Sequence, residues 1–65
     1  MKLFECADGR LVNPEMVTNC YHRKVENKYI AVFKYPCGDR TEIMFDRATY
    51  AEGEIKAFRQ HCEEN

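Results

Sequence analysis

The sequence predicts an α+β domain: an antiparallel β-sheet, comprising a short N-terminal hairpin and a three-stranded meander, with one C-terminal helix packed on one face. Three observations carry this. Short runs rich in β-branched and aromatic residues fill positions 16 to 45. Turn-forming residues separate those runs at Asp8-Gly9, at Glu26-Asn27-Lys28 and at Pro36-Cys37-Gly38-Asp39. Beyond Thr49 the apolar period lengthens from two to between three and four.

Residues 2 to 6 (KLFEC) read as a strand, and Ala7-Asp8-Gly9-Arg10 turns them toward Leu11 and Val12 as a small opening hairpin. Asn13-Pro14 then breaks the chain, because the proline ring fixes φ and pushes the residue before it away from α. Strands are expected at 16 to 25 (MVTNCYHRKV), 29 to 35 (YIAVFKY) and 40 to 45 (RTEIMF). Thr49 stands three residues before Glu52, a capping-box spacing, and predicts a helix from about 50 to 62. Ala51, Ile55, Phe58 and Cys62 draw its apolar stripe. Gly53 weakens that helix by up to about 1 kcal/mol relative to alanine, so docking on the sheet has to hold it.

Strand pairing decides which face is free. With residues 36 to 39 as a four-residue loop, Tyr35 faces Arg40, and Phe33, Val32 and Ile30 stand beside Glu42, Ile43 and Phe45. A two-residue connection at 26–27 or 27–28 sets Val17, Tyr21 and Val25 on the face of Ile30 and Val32, with Cys20, His22 and Lys24 on the other. The helix is then expected over Ile30, Val32, Ile43 and Phe45. Tyr29, Phe33, Tyr35, Arg40 and Met44 are left on an open face bordered by His22 and Lys24, and these seven are the candidate partner-binding residues. A competing arrangement curls the sheet into a half-barrel in which those rings join one core.

The chain of 65 residues is read as a single domain, and so short a chain buries only about 60% of its unfolded surface. It is 45% hydrophobic and 32% charged, an ordinary globular composition rather than a disordered one. A formal net charge of −1 supplies no global field toward nucleic acid or an anionic membrane. Glu5 and Asp8 interrupt the N-terminus before any apolar run, so no signal peptide is expected. No stretch approaches the roughly 18 apolar residues of a membrane span. A cytoplasmic location with reduced thiols is therefore expected for Cys6, Cys20, Cys37 and Cys62.

Chemistry-bearing patterns are sparse. Structural zinc sites use knuckles in which a tight turn aims two ligands at one ion, and neither Cys20/His22 nor the adjacent His61/Cys62 has that spacing, so no metal is expected. Cys20 and His22 are the one compact thiol–imidazole pair, but two residues along a strand span about 6.5 to 7 Å. No catalytic residue is assigned. Gly9, Gly38 and Gly53 are isolated, with no phosphate-cradling pattern and no expected cofactor.

What remains is a non-enzymatic interaction or regulatory module that binds a protein partner, or itself as a homodimer, through the open aromatic face. The alternative is nucleic-acid binding through the same sheet face and local basic residues, the run His22-Arg23-Lys24 with Lys28, Lys34 and Arg40, charges that alternation splits between faces and acidic residues interleave. No membrane contact is expected. The segment from Tyr29 to Phe58, ending in MFDRATYAEGEIKAF, is similar in layout to small strand–strand–strand–helix domains that include DNA-binding modules of mobile elements. In size the chain looks like a small bacterial or phage accessory protein.

Overall fold

A computed structural model describes residues 2 to 64. Its elements are β1 (Phe4–Glu5), β2 (Leu11–Val12), a short 3-10 turn (Pro14–Met16), β3 (Asn19–Val25), β4 (Lys28–Lys34), β5 (Arg40–Phe45) and α1 (Ala48–Glu64). β1 and β2 form a two-stranded antiparallel hairpin, and β3, β4 and β5 an antiparallel sheet in that order. The helix packs against all three strands of the larger sheet. The α+β expectation is met.

Both glycine-containing hairpins use one device. In the first, the Cys6 N–H donates to the Arg10 carbonyl at 2.7 Å and the Gly9 N–H to the Cys6 carbonyl at 2.9 Å. In the second, the Tyr35 N–H donates to the Asp39 carbonyl at 3.0 Å and the Gly38 N–H to the Tyr35 carbonyl at 3.1 Å. Each is a three-residue loop, a turn followed by a glycine in the left-handed region at φ 93° or 94°. The turn from β3 to β4 is tighter, with two residues, and Glu26 takes φ 56°. Asn13 precedes the 3-10 turn, its side-chain oxygen accepting the Glu15 N–H at 3.1 Å.

The second loop corrects the expected register. Three residues, Pro36-Cys37-Gly38, join the strands instead of four, so Lys34 rather than Tyr35 faces Arg40. Val32 then opposes Glu42, Ala31 opposes Ile43, and Ile30 opposes Met44. A slip of one residue sends every β5 side chain to the other face. The β3–β4 pairing is as expected, with Val25 beside Lys28 and Tyr21 beside Val32.

The core follows from that register. Phe33, Ala31 and Ile43 on one sheet face pack with Ile55 and Phe58 of the helix and with Phe4, Cys6 and Val12 of the N-terminal hairpin. The Phe33 and Phe58 rings lie 4.9 Å apart at 60°, and the Phe4 ring meets Phe58 edge-on at 5.3 Å. The helix therefore covers the face expected to be open. It also begins at Ala48, placing Thr49 inside its first turn rather than at the cap, with the Tyr50 and Ala51 N–H groups donating to the Arg47 carbonyl.

Two glycines predict opposite effects. A Cβ added at Gly53 meets nothing within 4 Å, so Gly53→Ala is expected to stabilise the domain by up to about 1 kcal/mol. Gly38 has equally open surroundings but φ 94°, so Gly38→Ala is expected to destabilise by about 1–2 kcal/mol through the backbone alone. Urea denaturation midpoints shifted in opposite directions would meet both expectations.

Candidate functional site: the sheet face opposite the helix

Alternation along three paired strands places Asn19, Tyr21, Arg23 and Val25 of β3, Lys28, Ile30, Val32 and Lys34 of β4, and Arg40, Glu42 and Met44 of β5 on the face away from the helix. Directly opposed residues form rows. At one end stand Asn19, Lys34 and Arg40, and next come Tyr21, Val32 and Glu42. The third row is Arg23, Ile30 and Met44, and the fourth holds Val25 and Lys28.

The middle of this face is apolar. Val32 is fully buried and Ile30 is 6% exposed, although neither belongs to the helix-side cluster. Met44, beside Ile30, is 66% exposed, and Val25 is also exposed. Arg23, Val25, Glu26, Lys28, Ile30, Arg40, Glu42 and Met44 line a shallow concavity of about 280 Å³ over these two residues.

Charge is concentrated around that middle. Four cations, Arg23, Lys28, Lys34 and Arg40, share the face with Glu42, which lies 3.5 Å from Arg40, and Glu26 of the adjoining turn lines the same concavity. Lys34 stands over the Tyr21 ring with its Nζ 5.7 Å from the centroid. At the far end Lys28 Nζ donates to the Asp46 carboxylate, and this holds the Asp46 carboxyl below its ordinary range. A carboxyl lowered in the fold contributes stability above its unfolded value, and that contribution is lost as pH falls through the folded value. The Asp46 pair is solvent-exposed.

The seven candidates divide. Arg40 and Met44 lie on the uncovered face. Phe33 is fully buried beneath the helix, and Tyr35 is half-buried against the same core, its hydroxyl bonded to Thr41 Oγ1 at 2.5 Å. Tyr29, half-buried on the helix side, lies near Lys24 Nζ, 5.8 Å from the ring centroid. His22 and Lys24 are exposed on the helix side of edge strand β3. His22 lines a cleft of about 300 Å³ with Tyr21, Glu52, Ile55, Lys56 and Arg59. The expected aromatic surface is thus the core, because the shorter loop moved Ile43 and Phe45 onto the side of Phe33.

The residues of this face that the sequence reading did not name as binding candidates are Asn19, Tyr21, Val25, Ile30, Val32 and Glu42, while Arg23, Lys28 and Lys34 entered only with the nucleic-acid alternative. Their signal was present in the loop: proline at the second position of a type I turn with glycine at the fourth favours three loop residues. Among the described residues no three His, Cys, Asp or Glu side chains gather to hold a metal ion. No helix among them is long and apolar enough to cross a membrane. The chain matches no known protein family, no curated protein and no solved structure.

Proposed function

We propose that this domain is a non-enzymatic binding module whose working surface is the sheet face opposite the helix, and that it takes a protein partner there. The supporting observation is the arrangement of the rows. Tyr21 and Met44 present an apolar middle over the buried Val32 and Ile30, and Lys34, Arg40, Arg23 and Lys28 stand around it. An apolar centre with a charged rim, built with Tyr, Met and Arg, is the composition of protein–protein interfaces. The rim's charge favours a partner whose own rim is acidic.

Nucleic acid is the second reading, favoured by the same four cations brought to one face. It is weakened by the loss of stacking rings, since Tyr21 is the one aromatic residue of the face.

The test is retention from host lysate on the immobilised domain, with and without nuclease. The expected result is one defined protein that survives nuclease, is lost with Met44→Glu and is kept with His22→Ala on the other side of the sheet. Burying a new carboxylate against the apolar middle is expected to weaken binding at least tenfold, by more than about 1.4 kcal/mol. Retention that nuclease abolishes, with affinity falling steeply as salt rises, would instead select the second reading.

A further inference from the structure

Two of the four thiols, Cys20 and Cys62, pack against the core from the helix side of the sheet. Cys20 opposes Phe33 in the β3–β4 register, on the helix side of the sheet. The Phe33 ring lies 4.9 Å from Phe58, and Cys62 follows Phe58 by one helical turn on the same apolar stripe. His22, two residues on from Cys20, lines a cleft with Glu52, Ile55, Lys56 and Arg59, whereas Cys20 stands opposite Phe33, which meets Phe58 one turn before Cys62. Both thiols are half-buried, reduced and packed on the same cluster. The Cys62 thiol is pushed up, first by burial and then by the charge of Cys20.

The other two cysteines sit apart. Cys6 is 3% exposed, and its thiol is pushed up to about 11, chiefly by burial and next by Glu54. Glu54 lies eight residues before Cys62, about 12 Å along the helix axis. Cys37 is exposed at the tip of the β4–β5 loop, its Sγ 3.6 Å from Asp39.

We infer that Cys20 and Cys62 are a redox modification site, a dithiol that closes into an intramolecular disulfide tying edge strand β3 to the last turn of the helix. Two S–H bonds break and one S–S bond forms. The two protons and two electrons pass to an oxidant such as a peroxide, whose O–O bond is cleaved, or to diamide, whose N=N bond becomes a hydrazine. The closed loop spans most of the domain, and a cross-link of that length restricts the unfolded chain strongly. In a domain with so small a core, oxidation becomes a stability switch.

The experiment uses the full chain carrying Cys37→Ser, which removes the exposed thiol, treated with diamide while folded, alkylated and digested with trypsin. Each cysteine falls in its own tryptic peptide, Cys20 in 11–23 and Cys62 in 60–65. The expected product is those two peptides joined, lighter by two hydrogens, with Cys6 alkylated. The melting temperature should rise on oxidation, return with dithiothreitol and not respond in the Cys20→Ser or Cys62→Ser variants. Separate alkylation of Cys20 and Cys62 after diamide, or a link from either to Cys6, overturns the inference.

Discussion

Phe33→Ala is expected to unfold the domain. Phe33 is fully buried between the sheet and the helix and touches the rings of both Phe4 and Phe58. Truncating a buried phenylalanine costs about 3–5 kcal/mol. A core of this size rarely supplies more than about 3–5 kcal/mol of net stability, so the loss matches the whole margin. The informative comparison is Met44→Ala on the other face, expected to change stability by no more than about 0.5 kcal/mol because the side chain is 66% exposed. Circular dichroism against temperature separates the two: a lost cooperative transition for Phe33→Ala and a retained one for Met44→Ala. Similar melting of both variants would place Phe33 outside the core.

Glu54→Ala is expected to have the next largest effect. Glu54 is buried on the helix, and its carboxylate accepts the Ala7 N–H at 2.7 Å across 47 residues of sequence. That bond holds the N-terminal hairpin, with Phe4, Cys6 and Val12, over the helix side of the core. Removing the acceptor leaves a part-buried N–H unsatisfied, at a cost of about 1–3 kcal/mol. Glu54→Gln retains an acceptor oxygen and is expected to lose less. Amide exchange at Ala7 checks this, as does labelling of Cys6, which should quicken in Glu54→Ala because burial and the Glu54 charge both hold its thiol up. Equal protection of Ala7 in wild type and Glu54→Ala would show that the bond does not hold the hairpin.

The contrast between these two sites shows what the sequence makes legible. Phe58 and Ile55 announce themselves by helical spacing, and both lie in the core. The β3–β4 pairing could be read because a two-residue turn fixes parity. The face of the sheet could not be read from β4 itself. Ile30, Ala31, Val32 and Phe33 are four consecutive buried residues, so the central strand is apolar on both sides. The choice passes to β5, where Thr41, Ile43 and Phe45 alternate with Arg40, Glu42 and Met44. That alternation is clear in the sequence, but which set joins Phe33 depends on one residue of loop length. Counting four loop residues moved Ile43 and Phe45 beside Ile30 and Val32, and with them the helix. The Glu54–Ala7 bond had no signature, since its partners are far apart in the chain and one of them is a backbone group.

The corrected register also changes how the charges read. Arg23, Lys28, Lys34 and Arg40 fall in three strands, and the four-residue count divides them between faces. The three-residue loop gathers them around Tyr21, Ile30, Val32 and Met44. The four cations then share one face with Tyr21 and Met44, Glu42 standing among them, and the proposed binding face follows from that grouping.

The register of β5 against β4 is therefore the central claim, and cross-strand nuclear Overhauser contacts test it most directly. The expected result pairs Val32 with Glu42 and Ile30 with Met44, and brings Phe33 ring protons to Phe58 of the helix. Contacts pairing Val32 with Ile43 and Ile30 with Phe45, with helix protons close to Ile30 and Val32, would contradict it and return the open face to Tyr29, Phe33 and Tyr35.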